Sequence, residues 1–200
     1  MVDLSSHPNK YPITLNAGVF ETAKEISELQ NLLDSSFASS AGIRYAGFNE
    51  SHRLTARQLA GFRGYKMVAV ATVNSMSEPR VAPRWAAFLH GKFYLAANSG
   101  STTVRRLSLR PMVGITYYEH EMLIMGHGTA APIRKGGAAF AKSIKRWSKA
   151  FSGGEHSLEE VDLLIRVDCS HLVAFALHRE NYPQAWDSSE AAGPRDASAR

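Results

Sequence analysis

Two stretches of this chain hold the residue types that grip a phosphorylated ligand. Ala97-Asn98-Ser99-Gly100-Ser101-Thr102-Thr103-Val104-Arg105-Arg106 ends an extended run, turns through hydroxyl residues and opens a helix. The first N–H groups of a helix have no partner inside it, and the macrodipole adds partial positive charge there, so an anion is favoured. Ser99, Ser101, Thr102 and Thr103 can add hydroxyl donors, and Arg105 or Arg106 can add charge, which makes a phosphate the natural guest. The same residues also suit plain helix capping by Ser101 or Thr102, with no ligand. One hairpin upstream, Arg80-Val81-Ala82-Pro83-Arg84-Trp85 is an extended run with two guanidinium groups and an indole.

Other familiar signals fail. Gly126-His127-Gly128-Thr129-Ala130-Ala131 has the G-x-G-x-x-A outline of a dinucleotide fingerprint, but Pro132 and an extended pattern follow where a helix must open. Gly136 to Ser143 resembles a phosphate loop, except that Ala141 stands where the second glycine is required. The eight histidines are scattered without zinc-ligand spacing, and His127 is the one worth following. No G-x-S-x-G elbow is present. Lys142, Lys145, Arg146 and Lys149 form a basic face opposite Phe140, Ile144, Trp147 and Phe151. Such a helix can lie on nucleic acid or a membrane surface, but more often it packs its apolar face on a sheet.

Local pattern supplies the elements that position these residues. Ile26, Leu29, Leu32, Leu33 and Phe37 make one helical stripe over 19–37. Thr55 and Gln58 form a capping box for a short helix, with Leu54 and Leu59 as its staple and Gly61 and Gly64 at its end. Extended runs are expected over 67–73, 80–89, 92–96, 112–118 and 122–133, with His90-Gly91 as a tight turn. A helix over 102–109 is stopped by Pro111. The spacing predicts a further helix over 138–151, a strand from Val161 to Cys169 and another over 172–178. Residues 1–17 read as an irregular arm and 187–200 as a disordered tail.

The chain has 200 residues, 44% hydrophobic and 20% charged, which suffices for one sizeable core. A net charge of +5 is compatible with anionic partners but too mild to select one. The single cysteine, Cys169, excludes an intrachain disulfide and reads as a small buried hydrophobe. With no secretory signal and no run long enough to span a bilayer, the expected location is the cytoplasm, away from membranes.

The order of these elements resembles the pyridoxamine 5′-phosphate oxidase-like flavin-binding family. The series is a capped short helix, a V-A-V-A-T-V strand, a P-R-V-A-P-R-W strand, an F-Y-L-A strand, an N-S-G-S turn-helix ending L-x-L-R-P, and a strand holding G-H-G-T-A. The match spans Leu54 to Ile133 and extends loosely to His178. It implies a mainly β fold with flanking helices: a six-stranded Greek-key split β-barrel over 54–186, preceded by a helical extension over 1–53. It also implies a homodimer whose cofactor sites lie between subunits.

The cofactor implied is FMN or the deazaflavin coenzyme F-420, with haem in a minority of members. By position, Arg80, Val81, Pro83, Arg84 and Trp85 would line the isoalloxazine edge. Asn98, Ser99, Ser101, Thr102, Thr103, Arg105 and Arg106 would hold the phosphate, and Trp186 with Tyr182 could reach the partner chain. Thr103 departs from the family pattern, where Lys or Arg is usual, and Met76-Ser77 replaces an acidic-glycine pair. The activity implied is hydride transfer to or from a small molecule, with Tyr117, Tyr118 and His127 as candidates for substrate contact. A non-catalytic ligand-binding barrel and a nucleic-acid or membrane-surface protein are the alternatives, nucleic acid being the less expected partner.

Overall fold

Apolar residues at period two drive the strands, and the chain closes them into a barrel. The computed structural model describes residues 14–15, 21–40, 48–60, 62, 65–119, 121–152 and 162–182. The strands are β1 (Thr14–Leu15), β2 (Tyr65–Val73), β3 (Pro79–Leu89), β4 (Lys92–Ala97), β5 (Met112–Glu119), β6 (Met122–Arg134), β7 (Phe151–Ser152) and β8 (Leu163–Ala176). Six of them form a closed antiparallel barrel in the order β2-β3-β4-β8-β6-β5, and β5 returns to β2. The last strand inserts between β4 and β6, as a Greek-key connection requires. Among the described residues β1 and β7 form a separate two-stranded sheet. At the β3–β4 hairpin His90 and Gly91 both take positive φ, 52° and 72°, as a two-residue turn matched to strand twist demands.

Among the described residues four α-helices flank the barrel. Helix α1 (Ala23–Ser39) begins at a Thr22/Glu25 capping box, three residues inside the expected start. It buries Leu29 and Leu33 in the main core. Helix α2 (Ala56–Ala60) starts at the expected box: Thr55 N–H donates to Gln58 Oε1 (3.0 Å), and Gln58 N–H donates to Thr55 Oγ1 (3.2 Å). Helix α3 (Thr102–Leu109) has the expected bounds and is capped by Ser101. Helix α4 (Ala138–Ala150) packs Phe140 and Ile144 on Ala87, Leu89, Tyr94, Ile133 and Leu164, with Lys142 and Lys145 exposed. That is the sheet-packing expectation for these residues. Among the described residues no helix is long and apolar enough to cross a membrane. Trp186, Gly61, Gly64, the side chains of Arg146, Trp147, Lys149 and Phe151, the arm up to 13 and the tail 187–200 lie outside the described residues.

One expectation needs correction. The two runs 161–169 and 172–178 form a single 14-residue strand, β8. His127 pairs with His171 and Gly128 with Cys169, so Ser170 is an extra residue in the ladder. The inward parity therefore flips, from Leu163, Ile165 and Val167 before the bulge to Leu172, Ala174 and Ala176 after it. A strict alternation breaks there, and the sequence reads as two strands.

Gly128 makes the bulge possible. A Cβ at that position would lie 2.2 Å from the Asp168 carbonyl oxygen and 2.7 Å from the Cys169 Cα. Both are backbone atoms of a paired strand and cannot swing aside. Gly128→Ala should therefore lower stability by about 1–3 kcal/mol, or roughly 3–10 °C in melting temperature for a chain of this size. An unchanged thermal melt would show that β8 shifts freely at the bulge.

Candidate phosphate and cofactor site

Helix α3 divides its residues by the helical period. Thr103, Val104 and Leu107 face the core, while Thr102, Arg105 and Leu109 are exposed and Arg106 is half-buried. Ser101 Oγ accepts from Val104 N–H (3.3 Å) and Ser101 N–H donates to the Asn98 carbonyl (2.9 Å), so Ser101 is committed as the cap. Thr103 Oγ1 accepts from Arg84 Nη2 at 2.7 Å. That bond brings a guanidinium from β3 to the inner face of α3. Ser99 turns away: its N–H (2.8 Å) and hydroxyl (2.5 Å) both donate to the Asp162 carboxylate. Chiefly through the Ser99 hydroxyl, these bonds hold Asp162 below the usual carboxylate range.

The outer residues of α3 meet the β2–β3 hairpin. Thr102, Arg105, Arg106 and Leu109 line a cavity of about 250 Å³ with Val73, Asn74, Ser75 and Arg110. Arg110 is tied into the hairpin, donating from Nη1 to the Asn74 carbonyl (2.9 Å) and Ser77 Oγ (2.9 Å) and from Nη2 to the Ser75 carbonyl (3.1 Å). Asn74 in turn orders the turn through Glu78. The cavity is thus lined by three guanidinium groups, of which Arg110 is already bonded to the hairpin, and by the hydroxyl residues Ser75 and Thr102, a donor set suited to a phosphate. Arg110 belongs to the L-x-L-R-P stretch that ends the turn-helix, but nothing local links it to the β2–β3 hairpin, and Asp162, a polar residue preceding a strand, carries no local signal.

Strand alternation separates the five residues of the β3 run. Val81, Pro83 and Trp85 point outward, opposite Ala71, Ala69 and Met67 of β2, and Arg84 points to the other side and meets α3. Arg80 is exposed and donates to Glu78 (2.5 Å) and the Pro79 carbonyl (3.2 Å). The outward residues belong to an open face that continues onto β5 through Met112 and Tyr118. On that side lies His127, exposed, its ring stacked 5.7 Å from His171. Tyr117 points inward, and its hydroxyl donates to Glu119. Tyr182 packs on its own barrel, and its carbonyl accepts from Gln58 Nε2 (2.7 Å). Cys169 is half-buried, and its thiol is pushed up to about 12, mainly by desolvation.

Burial, then the neighbouring His127, pulls the His171 imidazole below its ordinary value. The unfolded chain therefore binds this proton more readily than the folded one. Stability associated with His171 should be full above its unfolded value, about 6.5, and decline as pH falls below it. His171→Asn should flatten the melting-temperature profile between roughly pH 7 and 5. A parent profile that is flat over that interval would overturn the assignment.

No family model and no curated protein matches this chain. Solved structures do. A conserved hypothetical protein from Mycobacterium tuberculosis aligns with TM-score 0.54 and 13% identity, over 68% of this chain and 92% of that one. A pyridoxamine 5′-phosphate oxidase-related, FMN-binding protein from Nostoc punctiforme aligns with TM-score 0.43 and 15% identity, over 56% of this chain and 74% of that one. HutZ, the haem storage protein from Vibrio cholerae, aligns with TM-score 0.47 and 20% identity, over 56% and 89%. Likeness at such identities speaks to fold and not to function. The chain has the closed six-stranded split-barrel architecture that its order of motifs implied.

Proposed function

We propose that this protein is a flavin-dependent oxidoreductase that binds FMN, or coenzyme F-420 in its place, and acts as a cytoplasmic homodimer on a small molecule. The observation that supports this reading is the cavity of about 250 Å³ along the outer face of α3, where Thr102, Arg105 and Arg106 converge. A flavin, when bound, supplies the redox chemistry by accepting or giving hydride. The chain's own residues bind and shield it. Arg105 and Arg106 offer charge to the phosphate, and Thr102 offers a hydroxyl. Val81, Pro83 and Trp85 offer an apolar surface on which a ring can rest. A phosphate cannot use the Ser99 donors without displacing the Asp162 carboxylate, so the phosphate is assigned to the Arg105 side.

The open face supports the dimer. Met67, Val81, Trp85, Met112 and Tyr118 are each 47–69% exposed on the adjoining strands β3, β2 and β5. A monomeric protein rarely leaves such a patch uncovered. A second copy laid on it would bury the patch and screen a bound ring from water. Sedimentation equilibrium at micromolar concentration with FMN present should give a dimer, and a monomer would remove this part of the proposal.

One observation favours haem as a second reading. His127 presents an exposed imidazole on the open-face side, where an iron ligand could stand. Absorption spectra of the protein titrated with FMN, coenzyme F-420 and haem separate the readings. Flavin binding also has a sharper test. Arg105→Ala should weaken FMN by about one to two powers of ten and leave riboflavin, which lacks the phosphate, unchanged. Asp162→Ala, which releases Ser99, should leave FMN affinity within about threefold. A gain of about tenfold would move the phosphate to Ser99, and equal losses for both ligands in Arg105→Ala would reduce the helix start to a cap.

A further inference from the structure

The bulge in β8 decides which side chain stands opposite His127. In an unbroken ladder, the register that pairs Gly128 with Cys169 would set Ser170 against His127. The extra residue moves the pairing on by one, so His127 faces His171 instead. It also reverses the parity of β8, which turns His171 outward, to the side that His127 occupies. Bulges re-aim side chains in this way and are over-represented beside functional sites. The arrangement requires glycine at position 128, where a Cβ would meet the Asp168 and Cys169 backbone.

Two imidazoles meet as a result. Directly opposed residues of an antiparallel pair have Cβ atoms about 4.5–5.5 Å apart. The two rings lie with centroids 5.7 Å apart and planes 20° from parallel. His127 is exposed, and among the described residues its ring has no hydrogen-bond partner and no ion pair. Its neighbour across the ladder on β5 is Gly114, which adds no side chain beside the ring. His171 is half-buried, and its Nε2 lies 3.4 Å from Oγ of Ser40, the buried C-cap of α1. In the tautomer whose Nε2–H donates to Ser40, Nδ1 carries a free lone pair. A fixed partner on the far ring nitrogen is the usual way in which a metal-binding imidazole is oriented.

We infer that His127 and His171 form a chelating site for a divalent transition-metal ion, of the class of Cu²⁺, Ni²⁺ and Zn²⁺, which imidazole ligands suit. Metal–nitrogen bonds of about 2 Å require the two nitrogens to converge to roughly 3–3.5 Å. The exposed His127 ring supplies that movement through its broad χ2 torsion, while Ser40 holds His171 in place. Two protein ligands leave the remaining coordination positions to water or to a small donor molecule from solution. Hard cations such as Mg²⁺ prefer oxygen ligands and are not held by a pair of imidazoles. This inference does not depend on whether a flavin or a haem binds.

The test titrates Cu²⁺ into the full-length, metal-free protein at about pH 7.5, where ordinary imidazoles are mostly neutral. Calorimetry gives the affinity, and nitrogen couplings in the electron paramagnetic resonance spectrum count the ligands of the tightest site. Two imidazole nitrogens are expected. His127→Ala and His171→Asn should each weaken that site by about a hundredfold, the advantage of a linked pair of ligands over a single one. The double variant should lose less than about tenfold more, because either substitution alone already destroys the pair. Zn²⁺ should compete with Cu²⁺, and Mg²⁺ at about 1 mM should not. Melting curves without metal confirm folding, and His127→Phe or His171→Phe takes the place of a variant that does not fold. Parent affinity in either single variant would overturn the proposal. So would losses that add in full in the double variant, which describe two independent single-histidine sites.

Discussion

A closed barrel has no edge, so each strand must satisfy its backbone groups against neighbours on both sides. Strand β6 carries most of that demand here. Its 13 residues pair with β8 along their whole length and with β5 over the first part. The ladder with β8 must absorb one extra residue, Ser170, and it does so where β6 has Gly128 and no Cβ. The helix at the N-terminal side depends on the same irregularity. Next to the bulge, Leu172 N–H donates to Ser36 Oγ of α1 at 2.8 Å, which satisfies a buried donor and fixes the helix against β8. Leu29 and Leu33 then join the barrel's main core, so α1 is part of the same packing unit.

Local chemistry in the sequence was legible where it acts over three or four residues. Thr55 with Gln58, Ser101 as a cap, Pro111 as a stop and His90-Gly91 as a turn each bind their own neighbours, and each stands where it was expected. The bulge was not legible, because its cause is the partner strand: nothing near Ser170 announces that Gly128 opposes Cys169. The Thr22/Glu25 box sets the start of α1 inside the stretch that apolar spacing outlines, because spacing alone does not mark where a helix begins. The resemblance carried the closed topology, which periodicity alone could not order.

The candidate site was legible in its parts and not in its grouping. A period of two keeps Arg84 off the face that Val81 and Pro83 share, and on α3 Thr103 is turned into the core while Thr102 is exposed. The structure obeys both rules. Arg84 and Thr103 satisfy each other beneath the surface, while Thr102, Arg105 and Arg106 face the hairpin. Asp162 could not be foreseen, since it is 63 residues from Ser99 in sequence. Its carboxylate shows that the hydroxyl-rich turn does draw an anionic group, and that one of its donors is already used by the fold.

Charge is distributed along the barrel in a way that neither end reveals alone. Arg105, Arg106 and Arg110 gather at the end of β2, whereas Glu119 and Glu121 gather at its beginning beside Lys66. The apolar row Met67, Ala69 and Ala71 runs between those ends on the outside of the same strand. Strand β2 is therefore shared by a basic cavity, a second cavity at its beginning and an uncovered apolar face. A one-residue slip of β2 would send Lys66 outward, bury Met67 and withdraw Val73 from the hairpin, so the register that closes the barrel also keeps the three surfaces distinct.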